Sequence, residues 1–131
     1  MKLELEYRPV TADELIKLHD RLESTAPRLP GIADRSKAKA VIDRVTTLYL
    51  YGELPDVWHI AAAHLEAVAR GHVFADYNKR TAFFAMMLFL RRNGIDLNPE
   101  GNALEELTVS AATGEADRAM IAAELQRIAV R

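Results

Sequence analysis

At 131 residues, half of them apolar, the chain has the length of one domain and enough apolar surface for a single core. Its net charge of −2 lacks the basic excess of a nucleic-acid binder, so a direct nucleic-acid partner is not expected. The absence of cysteine excludes disulfides, thiolate catalysis and cysteine metal sites together, and fits a reducing cytosol.

The first residues, Met1 to Tyr7, alternate charged and apolar side chains without the apolar core of a signal peptide. The longest apolar run, Ala82 to Leu90, has nine residues, far short of the ~20 that span a bilayer. The chain therefore reads as soluble and cytoplasmic, with no membrane partner. Leu3 to Tyr7 has the period of a strand, but one strand makes no sheet.

Helical signals fill the rest. Thr11-Ala-Asp-Glu14 has the spacing of a capping box, and behind it Leu15, Leu18 and Leu22 share one helical face. Pro27, Pro30 and Gly31 make a loop. A second helix is expected from about Asp34, with Ala38, Val41, Ile42, Val45, Leu48 and Tyr49 on its inner face, broken by Gly52 and Pro55. A third carries Trp58, Ala61, Leu65 and Val68 on one stripe and stops at Gly71, a natural residue just past a helix end.

A fourth is expected from about Tyr77 to Arg92, ending at Asn93-Gly94. It is apolar on every side from Ala82 to Leu90, the pattern of a central helix packed all round, with Phe83, Phe84, Met86, Met87 and Phe89 as core. Helices at about Leu104–Ala112 and Ala116–Val130 complete an all-α domain over residues 1–131, about six helices around the Ala82–Leu90 segment. His19, His59 and His64 fall within amphipathic pattern at no metal-ligand spacing and read as satisfied helix residues. Arg91 and Arg92 read as cations complementing a helix C-terminus.

Between the third and fourth helices lies His72-Val-Phe-Ala-Asp-Tyr-Asn-Lys-Arg-Thr-Ala82, a polar segment the fold alone does not require. The start of a buried helix presents unpaired N–H groups and a partial positive charge of ~0.5. Lys79 and Arg80 in its first turn are unfavourable there unless an anion compensates them. With Asn78 as a neutral donor, they describe a phosphate-binding corner. Asp76 is a hard oxygen ligand suited to Mg²⁺ bound together with nucleotide phosphates. His72 is the residue type that can take a proton from an attacking hydroxyl near neutral pH. Phe74 alternates with these polar residues and anchors the segment in the core. Arg70 has two readings: a C-terminal helix cation, or a side chain reaching the phosphates from the other side.

The order His-x-Phe-x-Asp-x-Asn-Lys-Arg from His72 to Arg80 resembles the Fic/Doc superfamily motif. Arg70-Gly-His72 and Asn78-Lys-Arg-Thr-Ala82 point to its Doc, "death on curing", branch. Glu14-Leu-Ile-x-Leu-His-Asp20, Phe89-Leu-Arg-Arg-Asn-Gly94 and Leu107-Thr-Val-x-Ala-Ala-x-Gly-Glu115 also resemble Doc, so the likeness spans most of the chain. The Fic adenylyltransferase motif continues Gly-Asn-Gly-Arg-x-x-Arg. Here Lys79 replaces the second glycine and Phe83 the second arginine, so residues that seat ATP for AMP transfer are missing.

What the Doc resemblance implies is a toxin that transfers the γ-phosphate of ATP, with Mg²⁺, to a threonine hydroxyl of elongation factor Tu and so stops translation. It implies His72 as general base, Asp76 as Mg²⁺ ligand, and Asn78, Lys79 and Arg80 as phosphate holders. It also implies a small Phd-like antitoxin whose tail folds as a helix on the toxin. Tyr77 departs from the Gly or Ala usual at its position. AMP transfer, and a weakened site that survives as a binding module, remain the alternatives.

Overall fold

The computed structural model describes residues 7–23, 35–73, 78–97 and 102–129. Among them stand six α-helices: α1 (Ala12–Glu23), α2 (Arg35–Leu50), α3 (Val57–Arg70), α4 (Asn78–Arg92), α5 (Ala103–Thr113) and α6 (Arg118–Ile128). The all-α expectation holds. Extended pairing among the described residues is limited to an isolated antiparallel bridge between Leu97 and Ala129. Most of the strand-like stretch, the loop prolines and Gly31 lie outside the described residues, as do Asp34, Phe74, Asp76 and Tyr77.

The capping box forms as its spacing dictates. Thr11 N–H donates to Glu14 Oε1 at 3.0 Å, and Glu14 N–H donates to Thr11 Oγ1 at 3.1 Å. Ala38, Val41, Ile42 and Val45 of α2 are buried as expected. Gly52 and Gly94 end α2 and α4 with φ of +75° and +73°, a backbone that side chains other than glycine rarely adopt.

The helix at the centre is α3, not α4. It packs against α2, α4, α5 and α6, whereas α4 packs against α1, α3 and α5. Every residue of α3 from Ile60 to Ala69 is buried. Ala61, Ala62, Ala63, Ala67 and Ala69 explain why: small side chains let neighbours approach from several directions. On α4, Met86 and Phe89 are fully buried, but Phe83 and Met87 are half-buried and Phe84 is 41% exposed, so the aromatic cluster is core on one side only.

Two helix limits move for identifiable reasons. Ala116 belongs to the end of α5 rather than to α6. Gly114, at φ +85°, donates to Ser110 O at 3.1 Å, and Ala116 N–H reaches the same carbonyl at 3.2 Å. α6 begins at Arg118 because the Asp117 carboxylate accepts from Met120 N–H at 2.9 Å.

Side chains bind the segment before α1 to the bundle. Tyr7 stacks on Tyr49 with ring centroids 4.2 Å apart and shares a 2.8 Å hydrogen bond with Thr46 Oγ1. Arg92 does more than face a helix dipole. Its Nη1 donates to Pro9 O at 2.9 Å and its Nη2 pairs with Glu14, joining the end of α4 to the start of α1. The helix histidines have protein partners as expected: His64 with Ile60 and Val10, His59 with Asp56, and His19 with Asp20.

Candidate active site at the α3–α4 connection

α3 and α4 pack against each other, and residues 71–77 join the end of one to the start of the next. His72 and the first turn of α4 are held at the two ends of this short connection. Its first three residues are fixed in different ways. Gly71 is helical, with φ −77° and ψ −13°, so its lack of a side chain serves space rather than backbone freedom. A Cβ there would lie 2.5 Å from Val41 Cγ2 and 2.8 Å from Ala67 O. The left-handed residue after α3 is His72, at φ +49°, alone among the described non-glycine residues in having a positive φ. Val73 is then buried at 3% exposure.

A histidine in this conformation is uncommon and costs of order 1–3 kcal/mol unless its surroundings over-determine it. Here they do, because Gly71 is wedged against α2 and Val73 is sunk in the core on either side of it. The imidazole itself is exposed. Tight anchors flanking an exposed, proton-accepting ring are the arrangement a general base needs.

Across the connection, α4 opens with Asn78, Lys79 and Arg80 and has no acidic residue in its first turn. Lys79 and Arg80 are exposed and Asn78 is half-buried. The helix N-terminus and two cations thus carry the same sign, a combination suited to a multiply charged anion such as a polyphosphate. Thr81, one residue on, is fully buried, and its hydroxyl has no hydrogen-bond partner among the described residues. Asp76, the motif's carboxylate, lies outside the described residues, and among the described residues no three His, Asp or Glu side chains cluster as a metal site would require.

Arg70 is tied into the protein. Its Nε–H donates to Ala111 O at 2.7 Å, satisfying a carbonyl in the last turn of α5, and its Nη1 lies 3.6 Å from Glu66 Oε2. Glu66, 9% exposed, also accepts from Arg118 Nη2 at 2.9 Å. Sequence reading missed Glu66 and Arg118. The i, i+4 spacing of Glu66 and Arg70 on α3 was a usable signal; Arg118, 52 residues from Glu66, offered none.

Residues 9–90 match the family model described as "Fic/DOC family", and the chain belongs to that family. Over 123 residues it is 45% identical to "Protein kinase doc" of Escherichia phage P1, spanning 92% of this chain and 95% of that protein. It is also 40% identical over 88 residues to "Toxin Doc" of Mycolicibacterium smegmatis, spanning 66% of this chain and 68% of the relative. The Doc branch read from the motif is the branch of both relatives, and the kinase reading agrees with the name the phage relative carries. No helix among the described residues is long and apolar enough to cross a membrane.

Proposed function

We propose that this protein is a Doc-type toxin kinase that transfers the γ-phosphate of ATP to a threonine hydroxyl of elongation factor Tu in the cytoplasm and so arrests translation. What supports the reading is an exposed, left-handed His72 just past α3 and a cationic start of α4 six residues on, in a chain of the Fic/DOC family.

In this reading His72 accepts the proton of the acceptor hydroxyl as its oxygen forms a bond to the γ-phosphorus. The bond from that phosphorus to its bridging oxygen breaks, and ADP leaves with the electron pair. Lys79, Arg80, Asn78 and the first backbone N–H groups of α4 hold the phosphates and balance the charge that grows on them. Arg70 adds a positive charge from the end of α3, where Ala111 O and Glu66 hold its guanidinium. The donor set of the first turn fits such a ligand, since it holds cations and no acid. Asp76 would hold Mg²⁺ together with the phosphates, and the ion would supply further charge neutralisation there. The motif's own substitutions, Lys79 and Phe83, favour phosphoryl transfer over AMP transfer.

A Phd-like antitoxin completes the proposal. Its tail folds as a helix on the toxin and withholds activity until it is removed. Incubation with elongation factor Tu and ATP labelled at the γ or the α position tests the reaction. Label from the γ position alone is expected. Label from the α position transfers the reading to adenylylation.

A further inference from the structure

Glu66 is a nearly buried carboxylate that the proposed transfer does not use. Two guanidinium groups meet it. Arg118, the first residue of α6, donates Nη2–H at 2.9 Å, and Arg70, one turn further along α3, places Nη1 at 3.6 Å. Arg70 in turn donates Nε–H to the Ala111 carbonyl of α5 at 2.7 Å. A chain of charge and hydrogen bonds therefore runs from α6 through α3 to α5 and stops two residues before His72.

As a source of stability this arrangement is a poor choice, because well-packed apolar residues often do as well as a buried ion pair. What it does that apolar residues cannot is fix the direction of an arginine. The guanidinium is planar and its donors are rigidly related, so two fixed donors determine the third. Nε–H is bonded to Ala111 O, Nη1 lies 3.6 Å from Glu66 Oε2, and Nη2 lies 3.8 Å from where a Cβ on Gly114 would sit, so the plane of the guanidinium is set.

We propose that Glu66 is a positioning residue: braced by Arg118, it fixes the guanidinium plane of Arg70 for contact with the bound phosphates, and it steadies the end of α3 from which His72 emerges. The proposal rests on the reading that Arg70 and the start of α4 hold phosphates.

Its test is a double-substitution cycle in the full chain, read by binding of a non-hydrolysable ATP analogue with Mg²⁺ and by amide hydrogen exchange over residues 71–73. Glu66→Ala and Arg70→Ala each weaken binding about tenfold, and the double variant also about tenfold rather than roughly a hundredfold. Glu66→Gln keeps an acceptor for Arg118, gives an intermediate loss, and carries the test if Glu66→Ala does not fold. Wild-type affinity in the Glu66 variants, or a double variant whose loss is the product of the single ones, overturns the proposal. If the wild-type protein does not bind the analogue, the phosphate reading fails on its own and the exchange decides. Faster exchange at residues 71–73 in Glu66→Gln supports the brace, and unchanged exchange overturns it.

Discussion

His64, at the middle of α3, accepts the Val10 backbone N–H on Nε2 at 3.2 Å while its Nδ1–H donates to Ile60 O at 2.9 Å. The ring is fully buried and stacks on Phe89 with centroids 4.7 Å apart. Because Nε2 must accept, the imidazole is neutral in the fold, and the segment leading into α1 is bound to the centre of the bundle through it.

A pH dependence of stability follows. Burial lowers the His64 pKa from 6.5 to about 4, opposed in part by the bond to Ile60. The unfolded chain then binds this proton more readily than the folded one, so the contribution is whole above about pH 6.5 and is lost as pH falls toward 4. The loss approaches ~3 kcal/mol at the acid end of that window. Denaturant melts between pH 7 and 4 measure it. His64→Gln should be less stable at pH 7 and show a flatter profile, whereas an equally steep profile would place the dependence on another group.

Gly71→Ala is expected to destabilise the fold by about 1–3 kcal/mol, the range for inserting a methyl group into a filled core. Its Cβ would meet Val41 Cγ2 at 2.5 Å and the Ala67 carbonyl at 2.8 Å. Val41→Ala in the same chain relieves only the first contact, so Tm should recover in part. Full recovery would show that the Ala67 carbonyl moves aside freely.

Thr81→Val tests the opposite sign. The Thr81 hydroxyl is buried without a partner among the described residues, and an unmade hydrogen bond there costs about 1–3 kcal/mol. Replacing it by a methyl group of similar shape should raise Tm. A lower Tm would show that the hydroxyl has a partner in solution.

His72 and its neighbours stand out in the sequence as a candidate site, because a motif keeps its chemistry within a few residues and needs no knowledge of the fold. The order and type of the helices were legible too, since capping boxes and apolar spacing are local. The identity of the central helix was not. Alanines such as Ala62 and Ala69 carry little hydropathy, and their burial comes from four neighbouring helices. The start of α4 at Asn78 falls within a residue of expectation, whereas α6 was read two residues early because Ala116 N–H turns back to Ser110. Glu66 and Arg118 meet only through the tertiary fold, which no spacing rule describes.

His72→Ala should leave the fold intact or slightly less stable, since the left-handed strain is little worse for alanine and the imidazole is exposed. Transfer should fall by about 10²–10⁴, the usual contribution of a positioned general base. His72→Gly should relieve the backbone strain without restoring transfer, and a thermal melt beside the rate measurement separates the two effects.

The central claim is that His72 and the start of α4 move a phosphoryl group. Intact-mass spectrometry of elongation factor Tu, after incubation with ATP, Mg²⁺ and either wild-type protein or His72→Ala, tests it most directly. The mass of one added phosphoryl group is expected with the wild type, and an unchanged mass with His72→Ala. An added adenylyl group, an unmodified factor, or equal modification by both proteins would contradict it.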